Sequence, residues 1–169
     1  KMPIIDYHCH LVPKMIADDY KFRNAFDLFL GGDHYKWRQM RSAGIDEEFI
    51  TGAEDEFEKF KKFASVMPLL IGNPIYHWTH LELKRYFGYD GVLNGDTAEE
   101  VWNLCNEKLK SDDFTVRRLI ERSNVEFIGT TDDPADSLEW HRLIKEDKTF
   151  KTKVAPSFRP DKAVNIEKD

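Results

Sequence analysis

The chain is poor in cysteine, in long apolar runs and in surplus positive charge, and each shortage closes off a class of function. Cys9 and Cys105 are the only cysteines among 169 residues. Two are too few for the disulfide framework of a small secreted domain, so a reducing, cytoplasmic setting is expected. The longest apolar candidate, ASVMPLLIG at 64–72, carries Pro68. It falls well short of the ~20 residues that cross a bilayer, and no membrane partner is expected. Lys and Arg total 25 against 31 Asp and Glu, for a formal charge of −6, and the two signs are interleaved. Nucleic acid demands a concentrated basic face, so it is not an expected partner. G-x-S-x-G, P-loop and G-x-G-x-x-G sequences are also missing, which leaves no nucleophile elbow or phosphate cradle to build on.

What is present suits one globular domain: 41% hydrophobic residues, enough for a packed core. PIIDYHCHL at 3–11 alternates as a strand does, with Ile4, Asp6, His8 and His10 on one face and Ile5, Tyr7 and Cys9 on the other. Helical patterns follow. NAFDLFL stops at Gly31-Gly32, HYKWRQMRSAG ends at Gly44, and EDEFEKFKKFASVM stripes Phe57, Phe60, Phe63 and Ala64 before Pro68. Asn73 and Pro74 read as N-cap and N1 of a helix closed by Gly88. Thr97 with Glu100 reads as a capping box for AEEVWNLCNEKLK. TVRRLIERS, VEFIGTT, DSLEWHRLIKED and TKVAPSF then alternate helix and strand, the mark of parallel α/β architecture. The chain opens directly before one strand and closes soon after another, so a segment of a longer protein is expected.

Several residues carry chemistry, each with a structural alternative. His8 and His10 at i,i+2 on a strand can share one metal ion, or can simply be hydrogen-bonded in a half-buried strand. GGDHYKWRQMR at 31–41 offers His34, Tyr35, Lys36, Arg38 and Arg41. These can grip an anion or stabilise an oxyanion, or form an exposed basic helix over buried Trp37 and Met40. His77 and His80 stand i,i+3 on a helix, where packing is the favoured role. Asp132 and Asp133 fall at a strand end, as catalytic residues or as caps. Arg159, between Phe158 and Pro160, suits a substrate carboxylate or an ordinary surface loop. Neither cysteine reads as a nucleophile.

Taken in order, PIIDYHCHL, GGDHYKWRQMR, GNPIYHWTHLELKRYFG, TTDDPADSLEWH and VAPSFRPDKAVNI resemble the uronate (glucuronate) isomerases of the amidohydrolase superfamily. The resemblance covers nearly the whole chain. It implies an α/β fold, the N-terminal part of a metal-dependent (β/α)8 TIM barrel with a helical insertion after its first strand. Residues 1–169 would then be one portion of a single barrel domain, the insertion lying at about 14–122 and the rest of the barrel lying beyond the chain. The implied reaction is aldose–ketose isomerisation of hexuronates, D-glucuronate to D-fructuronate and D-galacturonate to D-tagaturonate, through an enediol. By the same resemblance His8 and His10 are metal ligands for a divalent ion, zinc first and manganese, iron or cobalt as alternatives. His34 and Tyr35 are catalytic and substrate-binding, and Arg159 binds the sugar-acid carboxylate. The proton-abstracting base, an Asp on the eighth strand, falls outside this chain, and the segment alone is expected to be inactive. The partner is a small hexuronate, and the 13% aromatic content permits a homo-oligomer. A metal-dependent hydrolase of the same superfamily and a non-catalytic metal- or sugar-acid-binding fragment are the competing readings.

Overall fold

The computed structural model describes residues 2–133, 135–165 and 167, so Pro134 of TTDDP and Ile166 of the AVNI stretch lie outside the described residues. In chain order the elements are β1 (Ile4–Cys9), α1 (Pro13–Ala17), α2 (Ala25–Phe29), α3 (His34–Ser42), α4 (Glu56–Val66), α5 (Pro74–Glu82), α6 (Ala98–Leu109), α7 (Val116–Arg122), β2 (Val125–Asp132), α8 (Glu139–Glu146), β3 (Lys153–Phe158) and α9 (Asp161–Val164). They fall into two compact units, one comprising residues 1–21 and 112–169, the other residues 22–111. Among the described residues no helix is long and apolar enough to cross a membrane.

The first unit is a parallel sheet in the order β1-β2-β3, with α1, α7 and α8 packed in the same unit. The α-β-α-β reading of the sequence is therefore borne out. Ile128, Gly129 and Thr130 of the central strand are buried, as the middle of a parallel sheet requires. Gly129 is there because β1 passes too close for a side chain: a Cβ would stand 2.5 Å from the Tyr7 carbonyl oxygen. The Arg117 guanidinium closes the end of α1, donating from Nε to the Ile16 carbonyl at 2.7 Å and from Nη2 to that of Ala17 at 2.8 Å, and pairs with Asp147. The Thr149 hydroxyl, with Arg117, holds the Asp147 carboxyl well below the usual range. β1 is an edge strand whose Ile5 and Tyr7 are 54% and 81% exposed, an apolar surface that parallel sheets ordinarily cover.

The second unit is helical, and α1 and α7 fall with the sheet in the first. Its core is aromatic. Phe60 and Phe63 are fully buried, and Phe60 meets the rings of Trp102 and Phe29 at 5.5 and 6.5 Å. Each buried Phe contributes about 2–3 kcal/mol through apolar area alone. Helix ends follow local chemistry. Asn73 Oδ1 accepts from Ile75 N at 2.9 Å, and Gly88 terminates the run beyond α5 at φ 66°. The capping box at Thr97 does not form. Its hydroxyl donates to the Val92 carbonyl at 2.8 Å and accepts from Asn94 N at 2.9 Å, so the preceding turn consumes it before α6 begins.

Candidate active site at the carboxyl ends of the strands

Because the three strands run parallel, His8–His10, Asp132–Asp133 and Arg159 all fall at one edge of the sheet, where α/β folds gather their chemistry. His8 lies within β1 and His10 one residue past it, both exposed. Their rings stand 5.2 Å apart, centre to centre, nearly perpendicular at 86°. Two imidazoles bound tetrahedrally to one ion at about 2.0–2.1 Å have centroids about 5 Å apart, and the spacing of this pair matches that value. Among the described residues no group of three or more His, Cys, Asp or Glu side chains converges on one ion; the pair supplies two donors.

The alternation expected of β1 is interrupted. Register slips between Ile4 and Ile5 and again between Asp6 and Cys9, an irregularity of the kind that re-aims side chains near functional sites. Cys9 is half-buried, and burial pushes its thiol up from 9.0, with the Asp6 and Asp132 carboxylates adding to the rise. That is the opposite of an activated nucleophile.

Behind the strand ends lies a buried polar chain that sequence reading missed. The Thr130 side chain, 0% exposed, lies between Asp132 and His141, with His141 Nε2 at 2.8 Å from Thr130 Oγ1 and at 3.4 Å from Asp132 Oδ2. A carboxylate only accepts, so the one hydroxyl hydrogen of Thr130 goes to Asp132 and His141 Nε2–H donates to Thr130. The signal was present as T-x-D followed by a histidine on the next helix, but nothing in α8's amphipathic pattern distinguishes His141 from a surface residue. Asp133 is a turn and cap residue, accepting from Ala135 N and, at the start of α9, from Lys162 N, both at 2.9 Å. Arg159 pairs through Nε with Asp161 Oδ2 at 2.7 Å on the surface, while its backbone N–H donates to the Asp132 carbonyl at 3.3 Å.

His34 and Tyr35 belong to the helical unit. They open α3, whose N-cap Asp33 accepts from Tyr35 N and Lys36 N at 3.0 Å. Both side chains are exposed, with rings 4.4 Å apart, and the Arg38 guanidinium lies 5.6 Å from the Tyr35 ring. The rest of this basic helix is structural. Lys36 donates to the Phe29 carbonyl at 3.1 Å, Trp37 Nε1 to that of Leu30 at 2.7 Å, and Met40 is buried. Arg41 grips Glu47 through two nitrogens, at 2.7 and 2.5 Å, and with the Thr51 hydroxyl holds that carboxyl down to about 2. His80 is structural too. Leu93 N–H donates to its Nε2 at 2.9 Å, so Nδ1–H donates to the Tyr76 carbonyl at 2.7 Å and both ring nitrogens are occupied. His77 is exposed. Glu82 is raised by burial, an effect that Lys36 partly offsets.

A cleft of about 540 Å³ lies at the opposite, amino-terminal edge of the sheet, lined by residues such as Arg118, Asn124 and Lys151. It holds none of the candidate site residues at the carboxyl ends of the strands.

Comparison with known proteins matches the chain along nearly its whole length. The family described as Glucuronate isomerase matches residues 1–169. The chain is 64% identical over 168 residues to a uronate isomerase of Lachnospira eligens and 58% to one of Endomicrobium trichonymphae, covering 99% of this chain and 36% of each relative. It superposes on a crystal structure of uronate isomerase from Thermotoga maritima with a TM-score of 0.92 at 39% identity, covering 99% of this chain and 37% of that one. For glucuronate isomerase from Caulobacter crescentus the TM-score is 0.91 at 30% identity. The chain thus spans about a third of the length of the curated relatives it matches. Matched along its whole length by the family model, the chain belongs to the glucuronate isomerase family.

Proposed function

We propose that this chain is the opening part of a (β/α)8 barrel enzyme of the cytoplasm that interconverts hexuronates between aldose and ketose forms, D-glucuronate with D-fructuronate and D-galacturonate with D-tagaturonate. The observation that carries the reading is the 5.2 Å, perpendicular pairing of His8 and His10 at the carboxyl end of β1, in a chain whose relatives bear the name uronate isomerase. The exposed apolar edge of β1 supports further strands beside it. Unpaired Cys9 and Cys105 suit a reducing compartment.

In this reading His8 and His10 would hold a divalent cation, zinc first among the imidazole-loving metals, with manganese, iron and cobalt as alternatives. When bound, the ion would polarise a substrate oxygen and stabilise charge developing there. Tyr35 donates from its hydroxyl to the oxygen that becomes negative as the enediol forms, and His34, stacked against it, orients the sugar. Arg159 binds the substrate carboxylate by exchanging its exposed partner Asp161 for the ligand, a low-cost exchange because surface pairs contribute only about 0–1 kcal/mol. The base that moves the proton between C2 and C1 is assigned to a carboxylate outside this chain, so residues 1–169 alone are inactive.

The test is isomerisation of glucuronate and galacturonate by the full-length protein, followed as ketose formation, with metal content measured in parallel. His8→Ala and His10→Ala each lose metal and turnover together. A metal-loaded protein that hydrolyses esters but isomerises neither uronate would overturn the reading in favour of a hydrolase.

A further inference from the structure

We propose that Thr131 is a positioning residue for the His8–His10 pair, acting through the peptide that joins them. Its hydroxyl donates to the Cys9 carbonyl oxygen, a bond between residues 122 apart in sequence. Cys9 is the only residue between the two histidines. Rotation of its carbonyl therefore turns the Cα–Cβ vectors on either side of it, and with them the angle between the rings.

Two observations make that clamp necessary and firm. The ladder that would otherwise hold this stretch is irregular: register slips between Asp6 and Cys9, so Tyr7 and His8 lack the regular pairing seen along β2 and β3. Secondly, Thr131 is anchored from its far side. It pairs with Ser157 in the uninterrupted β2–β3 ladder, and the Ser157 hydroxyl donates to the Thr130 carbonyl at 2.6 Å. Side-chain hydroxyls therefore stitch β3 to β2 and β2 to β1 at the edge that carries the site. A β-branched side chain has few χ1 choices, so the Thr131 hydroxyl has little freedom to aim elsewhere.

The inference rests on the proposed metal at His8 and His10, and the experiment separates the two. The full-length protein is freed of metal and titrated with Co²⁺, read by its visible absorption, for wild type, Thr131→Val, Thr131→Ser and Thr131→Ala. Thr131→Val keeps the shape and removes the hydroxyl. It weakens Co²⁺ binding by about tenfold or more, the scale on which supporting hydrogen bonds tune metal sites, and it shifts the absorption band. Thr131→Ser restores both, which a merely structural role for the side chain would not produce. Should Thr131→Val fail to fold, Thr131→Ala carries the same expectation. Wild-type affinity in the hydroxyl-free variant overturns the inference, as does a Ser variant as weak as Val. Failure of the wild type itself to bind Co²⁺ overturns the metal reading first and this inference with it.

Discussion

Thr130→Val is the substitution that most directly probes the buried chain behind the strand ends. The two side chains have nearly the same shape, so packing at this fully buried position is conserved while the hydroxyl is lost. Two groups then lose a partner: the Asp132 carboxylate and His141 Nε2–H. Leaving a buried polar group unsatisfied costs about 1–3 kcal/mol. The two do not add in full, because His141 Nε2 already stands 3.4 Å from Asp132 Oδ2 and can close on it directly. The expected loss is therefore about 1–3 kcal/mol in total, or a few degrees in Tm at about 2–4 °C per kcal/mol for a chain of this size. Urea and thermal unfolding of the variant measure it. A cycle with His141→Leu sharpens the test, since Thr130 and His141 should couple by about 0.5–3 kcal/mol if they act as one network. A Thr130→Val protein within about 0.5 kcal/mol of wild type, as for an ordinary surface change, would refute the network.

Two other outcomes follow from the same structure. Gly129→Ala forces a Cβ to 2.5 Å from the Tyr7 carbonyl oxygen and 2.9 Å from its carbon; backbone cannot yield as a side-chain tip can, so the variant should lose about 1–3 kcal/mol or more, and unfolding at the wild-type midpoint would contradict the close β1–β2 approach. Burial pushes the Cys105 thiol from 9.0 up to about 12, so it should resist iodoacetamide in the native protein and label only on unfolding. Because the unfolded thiol ionises first, stability is unaffected below about 9 and declines as pH rises from there toward about 12. Prompt native labelling of Cys105 would refute its burial.

What the sequence showed most clearly was local. The histidine pair, the Asn73-Pro74 start, the Gly88 stop and the Phe57–Phe60–Phe63 stripe were legible because caps and periodicity are decided by residues within a few positions of one another. The reading failed at Thr97, where the same local grammar allowed two uses of one hydroxyl and the turn from Val92 took it. It could not distinguish Arg41, committed to Glu47, from a free anion-binding arginine, because an exposed pair leaves no pattern.

By itself, then, the amino-acid sequence determined the kinds of element, their order and the residue types at the strand ends. Tertiary structure alone decided the register slip in β1, the ring-to-ring distance of His8 and His10, the hydroxyl of Thr131 on Cys9 and the burial of His141 against Thr130. Periodicity reports which face a side chain takes on its own element. A hydrogen bond between Cys9 and Thr131 joins segments distant in sequence, and its geometry exists only once the intervening chain has folded and brought the two strands side by side.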